Sequence, residues 1–108
     1  MKELHLSKNL TEIGYEAFAG CEKLENVSLS EKLEYIDTGA FKSCPKLASV
    51  YIPNADVELA SRALGYNSDT ELNEKLVLIG KAGSTAEKYA ANNGLHFHNV
   101  ADSLTHHT

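Results

Sequence analysis

Apolar side chains recur along this chain at a fixed offset of 23 positions. Leu10 pairs with Leu33, Ile13 with Ile36, Ala17 with Ala40, Phe18 with Phe41, Cys21 with Cys44, Leu24 with Leu47, Val27 with Val50 and Leu29 with Ile52. An offset kept at every apolar anchor marks a repeat architecture, in which one supersecondary unit is copied and stacked. The offset extends outward. Leu4 and Leu6 precede Val27 and Leu29 by 23 positions, so the chain opens in the strand half of an earlier unit. Leu59, Ala63 and Leu64 follow Ile36, Ala40 and Phe41 by the same 23, so a third unit begins near Asp56. This third copy decays: Asn67 stands where a cysteine belongs and Thr70 where a leucine belongs. Residues 67–75 form an insertion before the strand-like run Leu76-Val77-Leu78-Ile79. In that run either Leu76 and Leu78 or Val77 and Ile79 can face inward.

Each unit carries two periods. Leu24-x-x-Val27-x-Leu29 and Leu47-x-x-Val50-x-Ile52 end in the alternation of a half-buried strand. Ile13 to Cys21 and Ile36 to Cys44 place apolar residues at i, i+4, i+5 and i+8, which predicts a short helical turn facing the same core. Pro45 and Pro53 fall after that turn and at a strand end, where a missing N–H is tolerated. One unit cannot bury both faces alone, so neighbours stack with their strands side by side in a parallel sheet. The chain's end follows a different pattern. Ser84 is placed to cap a helix from Thr85 to about Asn93, Glu87 to complete a capping box, and Gly94 to stop it in the left-handed conformation. Ala86, Tyr89 and Ala90 share one face of that helix, and Leu95-His96-Phe97-His98 reads as a final short strand.

The expected fold is thus α/β: a short right-handed solenoid with a parallel sheet on one face, short helical turns on the other and a C-terminal helical cap. Its expected parts are a partial repeat at 1–9, repeats at 10–32 and 33–55, a degenerate repeat at 56–80, a cap at 81–100 and a flexible tail at 101–108. The string Ile13-Gly14-x-x-Ala17-Phe18-x-Gly20-Cys21-x-x-Leu24-x-x-Val27-x-Leu29 resembles the BspA-type leucine-rich repeat. The second copy keeps Ile36, Ala40-Phe41, Cys44, Leu47, Val50 and Ile52-Pro53, and departs at Asp37 and Ser43, where the first copy has glycines. The segment from Ile79 to Ala90 is similar to the closing segment of many such proteins. The resemblance implies a non-catalytic protein-interaction or adhesion module of a bacterial cell-surface or secreted protein, with a minority of relatives in parasitic protists. It leaves a second function open: a purely structural C-terminal cap of a longer solenoid, with no ligand of its own. Fold likeness by itself does not choose between them.

Composition narrows the partners. Ten Lys and Arg stand against 15 Asp and Glu for a formal net charge of −5, with no basic run to follow a phosphate backbone, so no nucleic-acid partner is expected. No stretch approaches the roughly 18 apolar residues of a membrane helix, so no membrane insertion is expected. The start, Met1-Lys2-Glu3-Leu4-His5-Leu6, lacks the apolar core of a signal peptide. An extracellular or cell-surface location therefore rests on the resemblance alone.

Candidate chemistry is sparse. Cys21 and Cys44 occupy one repeat position and should stack as buried free thiols, because ladder side chains point in parallel rather than toward each other. His96 and His98 alternate on the final strand and share a face, yet no third ligand has a certain place beside them, so no metal site is expected. Gly80-Lys81-Ala82-Gly83-Ser84-Thr85 lacks the order of a phosphate loop. No nucleophile motif such as G-x-S-x-G is present, and neither catalytic residues nor a cofactor are expected. Asn9-Leu10-Thr11 and Asn26-Val27-Ser28 match the glycosylation pattern and are read as accidental.

A sheet face is the expected binding surface for a protein partner. If Val27 and Leu29 point inward, Asn26 and Ser28 point outward, and the 23-residue offset extends them into two ladders through Glu3 and His5 and through Ser49 and Tyr51. Tyr51 is the best anchor among these, with apolar area and a polar tip. The strand around Leu4 begins the stack without an N-terminal cap and so presents an open edge, which invites pairing. Weak dimers are expected at millimolar concentration; analytical ultracentrifugation returning a strict monomer there would refute that edge.

Overall fold

A computed structural model describes residues 3–6, 8–68 and 71–100. Its first element, β1 (Glu3–His5), is followed by β2 (Glu12–Ile13), β3 (Asn26–Ser28), β4 (Tyr35–Ile36), β5 (Ser49–Tyr51), β6 (Glu58–Leu59), β7 (Val77–Gly80), α1 (Thr85–Asn93) and β8 (His96–Asn99). Two parallel sheets result. The main one has the order β1-β3-β5-β7-β8, and the smaller has β2-β4-β6. Register follows the sequence offset: Leu4 pairs with Val27, Val27 with Val50, and Ile13 with Ile36 and then Leu59. These pairings place inward apolar residues on inward apolar residues, and the inward positions fuse into one core. Leu24, Leu33, Ile36, Phe41, Leu47, Val50, Ile52 and Leu64 are all buried there.

The insertion after the third partial copy is absorbed without loss of register. Val50 pairs with Leu78, so Leu76 and Leu78 are the buried pair and Val77 and Ile79 face outward, which closes the alternative left by the sequence. The excursion is pinned at its base, with Tyr66 bridged antiparallel to Leu72 and the Asn73 amide donating to Gly65 O at 2.6 Å. Asn73 itself is buried. Its Nδ2 donates to Leu47 O at 2.9 Å, and its Oδ1 accepts from the Lys75 amide at 3.2 Å. A buried amide is tolerated only with its hydrogen bonds made, and here they tie the excursion to the preceding repeat.

The segments opposite the main sheet correct one expectation. The i, i+4, i+5 spacing predicts short helical turns; the structure has successive non-helical turns there. The reason lies in the backbone. Glu16, Gly39 and Arg62, each 23 after the last, have φ of 51°, 67° and 57°, and Gly20 and Ser43 repeat the conformation at 77° and 59°. A left-handed residue every four positions interrupts an α-helix. It also turns alternate amides sideways: Glu16, Phe18 and Gly20 donate to Thr38 O, Ala40 O and Lys42 O of the next repeat at 3.2, 2.8 and 2.8 Å. The rings of Phe18 and Phe41 stack across the same gap, with centroids 5.3 Å apart.

The helix α1 starts and stops as its sequence predicts. Ser84 Oγ accepts the Glu87 amide at 3.3 Å, Glu87 Oε1 accepts the Gly83 amide at 2.8 Å, and Gly94 ends the helix at φ 70°. Ala86, Tyr89 and Ala90 are its buried residues. Tyr89 does more than fill space. Its hydroxyl donates to Leu64 O at 2.6 Å and accepts from the Leu64 amide at 3.0 Å, fastening the helix to the third repeat. Thr85 adds two ties, from its amide to Ala55 O and from its hydroxyl to Val57 O. The tail expected at 101–108 lies outside the described residues.

Tyr89→Phe removes both side-chain bonds and leaves the Leu64 amide and carbonyl without them, which should cost about 1–3 kcal/mol and lower Tm by roughly 5–15 °C. Burial also pushes the Tyr89 phenol up to about 12 from its ordinary value of 10.0. The folded protein thus resists deprotonation that the unfolded chain accepts. The stabilisation is complete below pH 10 and is lost between about pH 10 and 12, with a magnitude near ~3 kcal/mol. Denaturant titrations of the two proteins should show a smaller alkaline loss for Tyr89→Phe; equal slopes would refute the linkage.

Candidate functional site

The outer face of the main sheet is built by strand alternation. Val27, Val50 and Leu78 point into the core, so their neighbours on β3, β5 and β7 point away from it. Asn26, Ser49, Val77 and His96 form one row of that face, and Ser28, Tyr51, Ile79 and His98 form the next. The backbones of Glu3 and His5 hold the matching register positions on β1; their side chains lie outside the described residues. Four of the six side chains expected on this surface, Asn26, Ser28, Ser49 and Tyr51, are thereby brought together.

Chemically the two ends of the face differ. On β3 and β5 it is polar and internally satisfied, since Ser49 Oγ donates to Asn26 Oδ1 at 2.6 Å. Toward β7 it becomes apolar, where Tyr51 (36% exposed) lies beside half-buried Ile79, with Val77 in the adjacent row. The exposed His96 and His98 close it on β8. The sequence offset could not reach these four β7 and β8 positions. The β5-to-β7 spacing is 28 residues (Ser49 to Val77) and the β7-to-β8 spacing is 19 (Val77 to His96), so neither matches 23. A signal was available in the run itself: its two leucines occupy one parity and its β-branched residues the other.

Along the rim just beyond the strand ends is a groove of about 430 Å³, with Leu29 and Pro53 as apolar lining, Tyr51 at its sheet side and Lys8 and Lys32 among its charged lining. Tyr51 is shared between groove and sheet face, so the two form one continuous surface. On the far side, Cys21 is half-buried and Cys44 buried, and both are free thiols. Cys44 Sγ donates to Phe18 O at 3.3 Å, and burial pushes its thiol above the ordinary range, offset in part by hydrogen bonding with the backbone of Cys21. Among the described residues, no group of three or more His, Cys, Asp or Glu could hold a metal ion, and no helix is long and apolar enough to cross a membrane.

A family model described as "BspA type Leucine rich repeat region (6 copies)" matches residues 1–82. The chain belongs to the BspA-type leucine-rich repeat family. The matched residues contain the strands β1 to β7, whereas α1 and β8 lie beyond the match. Leucine-rich repeats of this type are protein-interaction modules, typically without catalysis, and are often displayed at the cell surface or secreted. No curated protein and no solved structure matches the chain.

The two thiols of the repeat should react at different rates. Cys44 combines burial with a raised pKa, and the thiolate is the reactive form. Alkylation under native conditions, followed by peptide mass spectrometry, should modify Cys21 well before Cys44; the reverse order would contradict the packing.

Proposed function

We propose that this leucine-rich repeat is a non-catalytic protein-binding module of a cell-surface or secreted protein, serving adhesion, and that it binds through the outer face of its main sheet. The observation that carries this reading is the change of character along that face. Polar side chains on β3 and β5 satisfy one another, whereas Tyr51, Val77 and Ile79 offer apolar and aromatic area beside them. Binding surfaces draw most of their energy from a few such anchors set among polar contacts. Glu3, His5, Asn26, Ser28 and Ser49 would then supply the polar frame on which a partner is aligned. Strand pairing sets Tyr51 beside Ile79 and Ser49 beside Val77, so the anchors adjoin the polar rows, which suits an extended partner lying across the strands.

A second reading has its own observation. The helix α1 covers the core with Ala86, Tyr89 and Ala90 and is pinned to Leu64 by two hydrogen bonds. That is how a C-terminal cap of a right-handed solenoid would close its last repeat, and such a cap needs no ligand.

Peptides selected from a random library on the immobilised protein separate the two. Selected peptides should lose at least about tenfold in affinity with Tyr51→Ala or Ile79→Asp, a loss of roughly 1.4 kcal/mol or more, with circular dichroism unchanged. Peptides that bind both variants as tightly as the parent would move the site off the sheet face. A library that yields nothing above background would favour the cap.

A further inference from the structure

The groove beyond the ends of β3 and β5 has a chemistry that the repeat does not require. Leu29 and Pro53 are buried in its lining, with the more exposed Tyr51 beside them; Lys8, Glu31 and Lys32 are its charged lining, all exposed. Stacking accounts for the apolar part, since Leu6, Leu29 and Ile52 hold one repeat position and pack into the core. It does not account for the lysines. The position of Lys8 carries Glu31 and Asn54 in the following units, and the position of Lys32 carries Asn9 before it and Ala55 after it. Neither lysine is a repeat residue, so the pairing of the two is particular to this groove.

Both lysines are placed by one hydroxyl. Ser30 Oγ donates to Lys8 O at 2.9 Å and accepts the Lys32 amide at 3.0 Å, so the two backbones are fixed on one serine. Neither ammonium, by contrast, makes a hydrogen bond or ion pair among the described residues. With Glu31 counted, one positive charge remains in excess at the groove, on a chain whose formal net charge is −5. Cationic groups beside apolar surface attract an anion more strongly than they would in open water.

Two features of the occupant follow. An aliphatic side chain complements Leu29, Pro53 and the Tyr51 ring, and a carboxylate complements the two ammonium groups. A groove of about 430 Å³ holds one large side chain with its neighbouring backbone, not a folded unit. Tyr51 carries the groove over into the sheet face, which gives the rest of an extended chain a surface to run along. Side chains two positions apart in an extended chain share one side, at a separation of about 6.6 Å. The aliphatic residue and the acid are therefore spaced at i and i+2.

We propose that, given the protein-binding reading above, the groove takes an extended acidic segment of the partner protein. An aliphatic side chain of that segment lies against Leu29 and Pro53, and an Asp or Glu two positions away pairs with Lys8 and Lys32. Glu31 opposes the carboxylate, so its removal strengthens the contact.

The test selects two random peptide pools of equal length on the immobilised full chain, one containing Asp and Glu and one with both replaced by Asn and Gln. The first pool should yield binders with an acid two positions from an aliphatic residue, at least about tenfold tighter than any from the second. Lys8→Glu combined with Lys32→Glu should weaken those binders by at least about tenfold, with circular dichroism unchanged. Lys23→Glu combined with Lys46→Glu alters net charge equally at exposed positions outside the groove, and should leave affinity within about twofold. Glu31→Gln should bind at least as tightly as the parent. Binders that need Tyr51 and Ile79 but ignore the Lys8 and Lys32 changes would overturn the groove and leave the sheet-face reading standing. Equal losses in the two double variants would reduce the effect to net charge and also overturn it. Pools that yield no binder would sink the protein-binding reading, and the groove with it.

Discussion

Along the turns opposite the main sheet, alternate amides leave their own segment and donate to the repeat that follows: Phe18 to Ala40 O, Phe41 to Ala63 O, Ser43 to Tyr66 O. The parallel strands do the same on the other side of the core. The turn amides between these close local turns, as Ala17 to Gly14 O and Ala40 to Asp37 O do, but the alternate ones find partners only in the neighbouring repeat, and buried amides left without partners are costly. One repeat therefore completes the next. The left-handed residues at Glu16, Gly39 and Arg62 follow from this need, because only that local geometry swings the amides out of the segment and across the gap. Two of the three are not glycine, so the conformation is held against a local cost of order 1–2 kcal/mol each.

The same dependence explains which sequence signals could be read. The apolar offset exposes the register directly, since stacking requires like residues at like positions: Leu4, Val27 and Val50 align by count alone, as do Ile13, Ile36 and Leu59. The helix α1 is equally legible, because Ser84, Glu87 and Gly94 are local signals whose meaning does not depend on the rest of the chain. The turn segments are misread for the converse reason. Their spacing suits a helix, but their hydrogen bonds go to another repeat, and spacing cannot show where an amide points.

For the candidate site, the polar half of the outer face is legible and the apolar half is not. Asn26, Ser28, Ser49 and Tyr51 follow from the offset; Val77 and Ile79 lie past an insertion that breaks it. Parity in Leu76-Val77-Leu78-Ile79 is settled by Leu78 standing opposite Val50. The insertion itself is reconciled with the stack by Asn73, whose side chain reaches the carbonyl of Leu47 across the interior. A polar residue at such a position reads as a loop residue in sequence, yet it fixes where the strand resumes.

The sideways amides have a mechanical corollary. Bonds that run from one repeat to the next lie along the direction in which the repeats are stacked, and a pull in that direction loads the interfaces between repeats in series. Each interface then bears the full tension, and its bonds are drawn open along their length rather than sheared together. Extension should proceed by the release of whole layers, beginning at whichever seam is weakest, with force set by that seam and not by the size of the core. A stack built in this way is firm against sideways shear and comparatively compliant lengthwise, an anisotropy that follows from where Phe18, Phe41 and their neighbours send their N–H groups.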